Sequence, residues 1–208
     1  MNTPILQTHA DNLQSFSLND LAQYTSEGSF SPNASKDFRL FYVGRDDVHD
    51  ILKHVLSRAN VSIYLNMFGY DDDELNDILM TKVLDKNVTV MITLDKSQAG
   101  GVHERKLLDA NKARNLAEFN THFAIGNSAT HQISHTKGFV IDGLIGGEGS
   151  TNWSGSGEGI FVVKGKAGGT GFKAQNNTQT IFTCPDAIKR FQAQLINEHL
   201  IAKAQSLK

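Results

Sequence analysis

A chain of 208 residues is long enough to bury one sizeable α/β core or two small ones. Hydrophobic residues at 39% and charged residues at 20% are ordinary for a soluble globular protein, and no low-complexity tract interrupts them. A net charge of -2 excludes a global basic field, so any surface that holds nucleic acid has to be local. Cys184 stands alone, which excludes an internal disulfide and a cysteine-based zinc site. Residues 1–20 are polar and lack a continuous apolar run, so neither a signal peptide nor a membrane span is expected. The expected location is the cytoplasm, with a mature secreted form, its leader removed, left open.

Residues 1–36, rich in Asn, Ser, Thr and Gln, read as a polar arm with one short helix near Asn19–Tyr24. Residues 37–208 read as a single catalytic domain. Residues 37–43 are strand-like, with Phe38, Leu40 and Tyr42 alternating against Arg39 and Phe41. Val48, Ile51, Leu52, Val55 and Leu56 recur at helical spacing within 46–58, and 61–68 returns to strand composition. Asp71, Asp72, Asp73 and Glu74 open a helix running to about residue 84. Their carboxylates suit the helix dipole better than a metal ion. A strand follows at 87–94, a break at Gly100-Gly101, a helix at 103–119 and a strand at 121–125. Alternating strands and helices predict an α/β sandwich around a mixed sheet. Beyond it lie the strand at 135–142, a glycine-rich turn, an insertion-like loop, a strand at 178–183 and a closing helix at 186–203. Ile188, Phe191, Leu195, Ile196 and Leu200 form the apolar face expected of that helix, and Pro185 stands just before it.

The chemistry concentrates at His135–Asp142 and Gly149–Asn152. Phe139, Val140 and Ile141 make a short apolar run, so the stretch reads as a half-buried strand. His135 and Lys137, two apart, leave one face of an extended chain and can attack and hold an anion. Asp142 lies at odd spacing from both, faces away, and reads as a structural hydrogen-bond acceptor.

His135, Lys137, Asp142, Gly149, Ser150 and Asn152 together spell His-x-Lys-x4-Asp-x6-Gly-Ser-x-Asn, which resembles the phospholipase D superfamily. The resemblance covers roughly residues 37–203 and implies the α-β-α sandwich of that family. It also implies cleavage of phosphodiester bonds through a covalent phosphohistidine. Members generally use two such motifs, whereas this chain carries one. The single-motif members are homodimers with the site on the twofold axis, and they include non-specific bacterial endonucleases. The chemistry points the same way: one histidine attacks, a second acts as acid and base, and one chain supplies one. In this scheme His135 is the nucleophile, Lys137 and Asn152 neutralise and bind the phosphate oxygens, and Ser150 orients the phosphate or Asn152. No metal or other cofactor is required.

Family members place a Glu-Asn pair beyond the motif to orient the imidazole, where this chain has Asn176-Asn177. Asn176 can accept from the ring N–H in that place, and Glu148 and Glu158 are the alternatives. Lys164, Lys166 and Lys173 give the loop before it a net +3, with no Asp or Glu from 159 to 185. That charge suits a DNA backbone, with RNA as a further substrate. Ile160–Val163 and Phe172 in the same loop suit a lipid surface. Trp153 either stacks on a base or packs beneath the site, packing being favoured. His131 and His135 at i, i+4 spacing fall in loop and strand and are not read as a metal pair. His49, His54 and His199 are expected on helix surfaces. The leading expectation is a homodimeric, metal-independent nuclease of weak sequence specificity. The alternatives are a phospholipase D-type hydrolase of lipids such as cardiolipin, and a catalytically weakened nucleic-acid-binding or toxin-type module.

Overall fold

The computed structural model of the protein describes residues 17–130, 132–163 and 174–206. Among them seven strands form one sheet: β1 (Phe38–Tyr42), β2 (Ser62–Met67), β3 (Thr89–Asp95), β4 (Phe123–Gly126), β5 (Lys137–Ile141), β6 (Ile145–Gly149) and β7 (Thr178–Phe182). Their order is β1-β7-β6-β5-β2-β3-β4. β2, β3 and β4 run parallel, joined by helical crossovers. The β2–β5 pair and the whole β5-β6-β7-β1 half are antiparallel. The helices are α1 (Val48–Ser57), α2 (Asp73–Val83), α3 (Lys96–Ala99), α4 (Val102–Arg114), α5 (Leu116–His122), α6 (Ile160–Val163) and α7 (Pro185–Ser206).

Amphipathic periodicity decides the layers. Asp47 caps α1 by accepting from Asp50 N–H, and its apolar positions Ile51, Leu52, Val55 and Leu56 turn inward. They share one core with Leu75 and Leu79 of α2 and with Ile63, Leu65, Ile92 and Phe139 of the sheet. On the opposite face α7 lays Ile188 and Leu195 against Val140, with Tyr64, Phe182 and Phe191 packed around them. The result is an α-β-α sandwich on a mixed sheet.

Several local expectations change. In β1 the inward residues are Arg39 and Phe41, while Phe38, Leu40 and Tyr42 are exposed. Period two fixes which residues share a face, not which face meets the core. Arg39 is tolerated inside because its guanidinium donates to Asn19 Oδ1 and to the Ser35 and Phe38 carbonyls, and stacks 4.3 Å from the Phe30 ring centre. The helix expected at 103–119 is broken at Asn115, whose side chain accepts from Glu118 N–H and starts α5. β5 begins at Lys137 and is buried along its whole length, because both faces of this central strand are covered. His135 therefore precedes the strand. Within the stretch read as an arm, Leu18 and Leu21 are buried in the main core, so it packs on the body from there onward.

Two of the histidines expected at the surface are buried. His49 is fully enclosed, and His199 occupies the inner face of α7 in place of Leu200, which is exposed. His199 Nδ1 lies 3.1 Å from Thr93 Oγ1. Burial, reinforced by Lys203, brings the His199 imidazole down to about 4. The unfolded chain then takes up a proton between pH 6.5 and 4 that the folded chain refuses, so stability is lost as the pH falls through that window. The melting temperature is expected to fall across this range more steeply in the wild type than in His199→Gln; equal slopes would contradict it.

Asp142 fixes the register of the two central strands. Its carboxylate accepts from the backbone N–H groups of Asn60, Val61 and Ser62 at 2.8–3.2 Å, and its own N–H donates to Ser62 O. It sits at φ 55°, a left-handed conformation that Asp tolerates. Charge-assisted bonds of this kind contribute about 2–3 kcal/mol, so Asp142→Ala is expected to lower the melting temperature by roughly 5–10 °C. Asp142→Asn keeps an acceptor and the left-handed turn and should lose less than half of that. Equal, small losses in both variants would show that the carboxylate does not anchor β2.

Candidate active site

Antiparallel pairing converts the Asp142 anchor into a site at the other end of the strands. Ile63 opposite Ile141 puts Met67 opposite Lys137. The chain leaving β2, Phe68-Gly69, is thereby brought against the chain entering β5. The Phe68 ring meets the His135 imidazole edge-on, with centroids 4.4 Å apart. Lys137 Nζ lies 4.8 Å from the same ring centre and donates to His135 O at 2.8 Å. Gly69 N–H donates to Asn152 Oδ1 at 3.2 Å, and Gly69 O accepts from Trp153 N–H. A side chain at position 69 would press on Asn152, whose Cγ lies 3.0 Å from where its Cβ would be. A larger residue would have to push the Asn152 side chain aside by a few tenths of an ångström, so glycine favours this close approach. Phe68 and Gly69 gather His135, Lys137 and Asn152 into one neighbourhood.

The groups differ in exposure in a way that suits anion chemistry. His135 is exposed, while Lys137 is only 4% exposed. Burial lowers the Lys137 ammonium pKa and the charge of Glu148 opposes the drop. An ammonium short of counter-charge favours an arriving phosphate. With its carbonyl held by Gly69, Asn152 presents its amide N–H groups as donors. Ser134, just before the histidine, is buried; its N–H donates to Asp95 Oδ2 at 2.6 Å, and its hydroxyl lies 3.1–3.2 Å from the Asn66 amide. Asp95 also accepts from Ser97, so the end of β3 fixes the backbone that delivers His135. Ser150 is committed to β7, its Oγ accepting from Thr178 N–H and its N–H donating to Thr178 O.

The remaining residues sort differently. Asn176 is exposed and makes no hydrogen bond to His135, which corrects its assignment as the group that orients the ring. Its neighbour Asn177 is the inward one and donates to Gly157 O at 3.0 Å, bracing the turn after the motif. Glu158 is committed to His49, and Glu148 is exposed on β6. The Phe68 edge contacts the His135 ring. Trp153 is fully buried between Tyr70 and Phe139, so it offers no face to a base, and the packing reading stands. Lys164, Lys166, Lys173 and His131 lie outside the described residues.

Phe68, Gly69, Asp95 and Ser134 carried no signal in the motif. Gly69 alone was within reach of sequence, as a glycine directly after a strand. Among the described residues the chain also holds a buried group of possible metal ligands outside the motif, His49, Asp72 and Glu158.

Comparison with known proteins places this geometry. Residues 52–162, just over half of the chain, match the family described as cardiolipin synthase, PLD-like domain. No match is found among curated proteins. Among solved structures, Nuc from Salmonella typhimurium, a phospholipase D family member, aligns at TM-score 0.54 and 16% identity over 77% of this chain and 92% of that one. NucT from Helicobacter pylori aligns at 0.53 and 16% identity over 78% and 98%. The phosphatidylserine synthase of Haemophilus influenzae Rd KW20 aligns at 0.52 and 13% identity, over 90% of this chain and 39% of that one. At such identities the structural likeness is one of fold. The family match goes further: this chain belongs to the family of PLD-like domains, within the phospholipase D superfamily of phosphodiesterases.

Proposed function

We propose that the protein is a nuclease that cleaves DNA, and RNA as a further substrate, through a phosphohistidine in a site shared by two copies of the chain. The observation that carries this reading is a half-complete site. One exposed imidazole stands beside one buried ammonium and one oriented amide, and no second histidine or carboxylate contacts His135 among the described residues. In-line displacement at phosphorus needs a nucleophile and an acid for the leaving oxygen. A twofold axis beside His135 supplies both from one motif. The first His135 attacks phosphorus while the second protonates the departing oxygen. The second then takes a proton from water, which displaces the histidine and frees the phosphate. Lys137 and Asn152 from each copy bind the non-bridging oxygens as charge shifts onto them, which is the role a divalent cation plays in metal-dependent phosphodiesterases.

A lipid phosphodiester is the second reading. It is favoured by the exposed Ile133, two residues before His135, and by Val162, more than half exposed on α6. Among the described residues no helix is long and apolar enough to cross a membrane.

Plasmid DNA and labelled phospholipid vesicles, each incubated with the protein in EDTA, separate the two readings. Nicking is expected to persist in EDTA and to fall at least about a thousandfold in His135→Ala. Headgroup release with intact plasmid would replace the nuclease reading by the lipid one. Loss of nicking in EDTA while circular dichroism shows folded protein would contradict the metal-free chemistry. Mixing wild-type with His135→Ala chains tests the shared site. Activity is expected to fall as the square of the wild-type fraction, and a linear fall would show that each chain works alone.

A further inference from the structure

Outside the motif, among the described residues, one group of three titratable side chains is buried. His49 on α1, Asp72 at the N-cap of α2 and Glu158 in the turn after Trp153 are 0%, 6% and 1% exposed. One ligand-type atom from each lies within 4.8 Å of the others. His49 Nδ1 is 2.5 Å from Glu158 Oε2 and 3.6 Å from Asp72 Oδ2. Three remote stretches of sequence converge here, yet neither carboxylate has a Lys or Arg partner among the described residues.

Such a cluster is costly without a cation. Two carboxylates and one imidazole in a desolvated place repel one another unless a positive charge is shared among them. A single proton between His49 and Glu158 satisfies one contact and leaves Glu158 Oε1, fully buried, with no hydrogen-bond partner. A cation shared by all three side chains satisfies more of these contacts than one proton does.

The surroundings match a ligating histidine. Behind the ring, His49 Nε2 faces Glu74 Oε2 at 3.4 Å, and Lys53 Nζ holds that carboxylate at 2.6 Å. His49 Nε2 makes no hydrogen bond at that distance, and a small shift of Glu74 would give it the carboxylate that commonly supports a metal-bound imidazole. The spacing fits as well. Two ligands on a tetrahedral zinc with bonds near 2.1 Å stand about 3.4 Å apart, close to the His49–Asp72 separation. The His49–Glu158 pair has the spacing of a proton bridge and would open by about 1 Å as the cation replaces the proton.

We propose that His49, Asp72 and Glu158 form a structural site for one divalent transition-metal ion, with Zn²⁺ the preferred occupant. An imidazole with two carboxylates in a closed pocket suits Zn²⁺ better than Mg²⁺, which prefers six oxygens and retains its waters. The three side chains supply three ligands, and a water molecule completes the four-coordinate shell. The ion joins α1, the start of α2 and the turn at Glu158. Asp71 and Asp72 N–H both donate to Trp153 O, so the same clamp steadies the residue next to Asn152. The ion takes no part in bond cleavage.

Calorimetric titration of the EDTA-treated full-length protein with Zn²⁺ tests the site, with melting as a second readout. One Zn²⁺ per chain is expected, with a Kd below about 1 μM and a melting temperature that rises with Zn²⁺. Asp72→Asn, which keeps the helix cap, and Glu158→Gln should each weaken binding at least about a hundredfold. His135→Ala should bind as the wild type does. Absence of uptake by the wild type overturns the proposal however the variants fold, and so does uptake that both substitutions leave unchanged. Binding and melting are read without substrate, so failure of the nuclease reading leaves this result standing.

Discussion

One carboxylate sets the geometry on which the site depends. Asp142 gathers the backbone N–H groups of residues 60–62 and so locks the start of β2 to the end of β5. In an antiparallel pair a register fixed at one end is fixed at the other. Met67 therefore faces Lys137, and Phe68 comes to rest against the His135 ring. A slip of one residue would turn Lys137 from one face of the sheet to the other. The aspartate of the motif acts as a ruler, about one strand length away from where chemistry is proposed.

The other end of that ruler is held from several sides. Asp95 at the end of β3 secures Ser134, Gly69 secures Asn152, and Ser150 secures the turn to β7. Each contact joins a motif residue, or its neighbour, to a different strand of the sheet. The sheet thereby works as a rigid base, and the side chains that are to meet substrate are the few left with capacity to bond. Burial of Lys137 within this base leaves its charge under-compensated, and an incoming phosphate meets that need. Among the described residues, the same economy leaves His135 without a carboxylate behind it. The proposed second copy of the chain answers the lack of an acid, and the Phe68 edge packs against the ring.

Much of this was legible in the chain, for identifiable reasons. Helical and strand periodicities are local, and they located α1, α2, β2, β3 and β7 to within a few residues. The motif has fixed spacing because its residues follow one strand and one turn, so it could be read as a unit. What escaped was long-range. Whether β1 turns Phe41 or Tyr42 inward depends on which face the helices cover. His49 and His199 sat at helical positions that composition assigns to the surface, and only packing shows each to be enclosed. Asn115 breaks a helix whose charged sequence has little apolar patterning to mark its end. Glu158 and Asp72 are 86 positions apart, and no periodicity links them.

The covalent intermediate is the most direct test of the proposed chemistry. Protein mixed briefly with an oligonucleotide carrying internal ³²P, then quenched in alkali and run on a denaturing gel, reports it. A labelled protein band that survives alkali, is released by acid, and is absent in His135→Ala is the predicted result. DNA cleavage by the wild type with no labelled protein at any time, or a band that persists in His135→Ala, would contradict attack by this histidine.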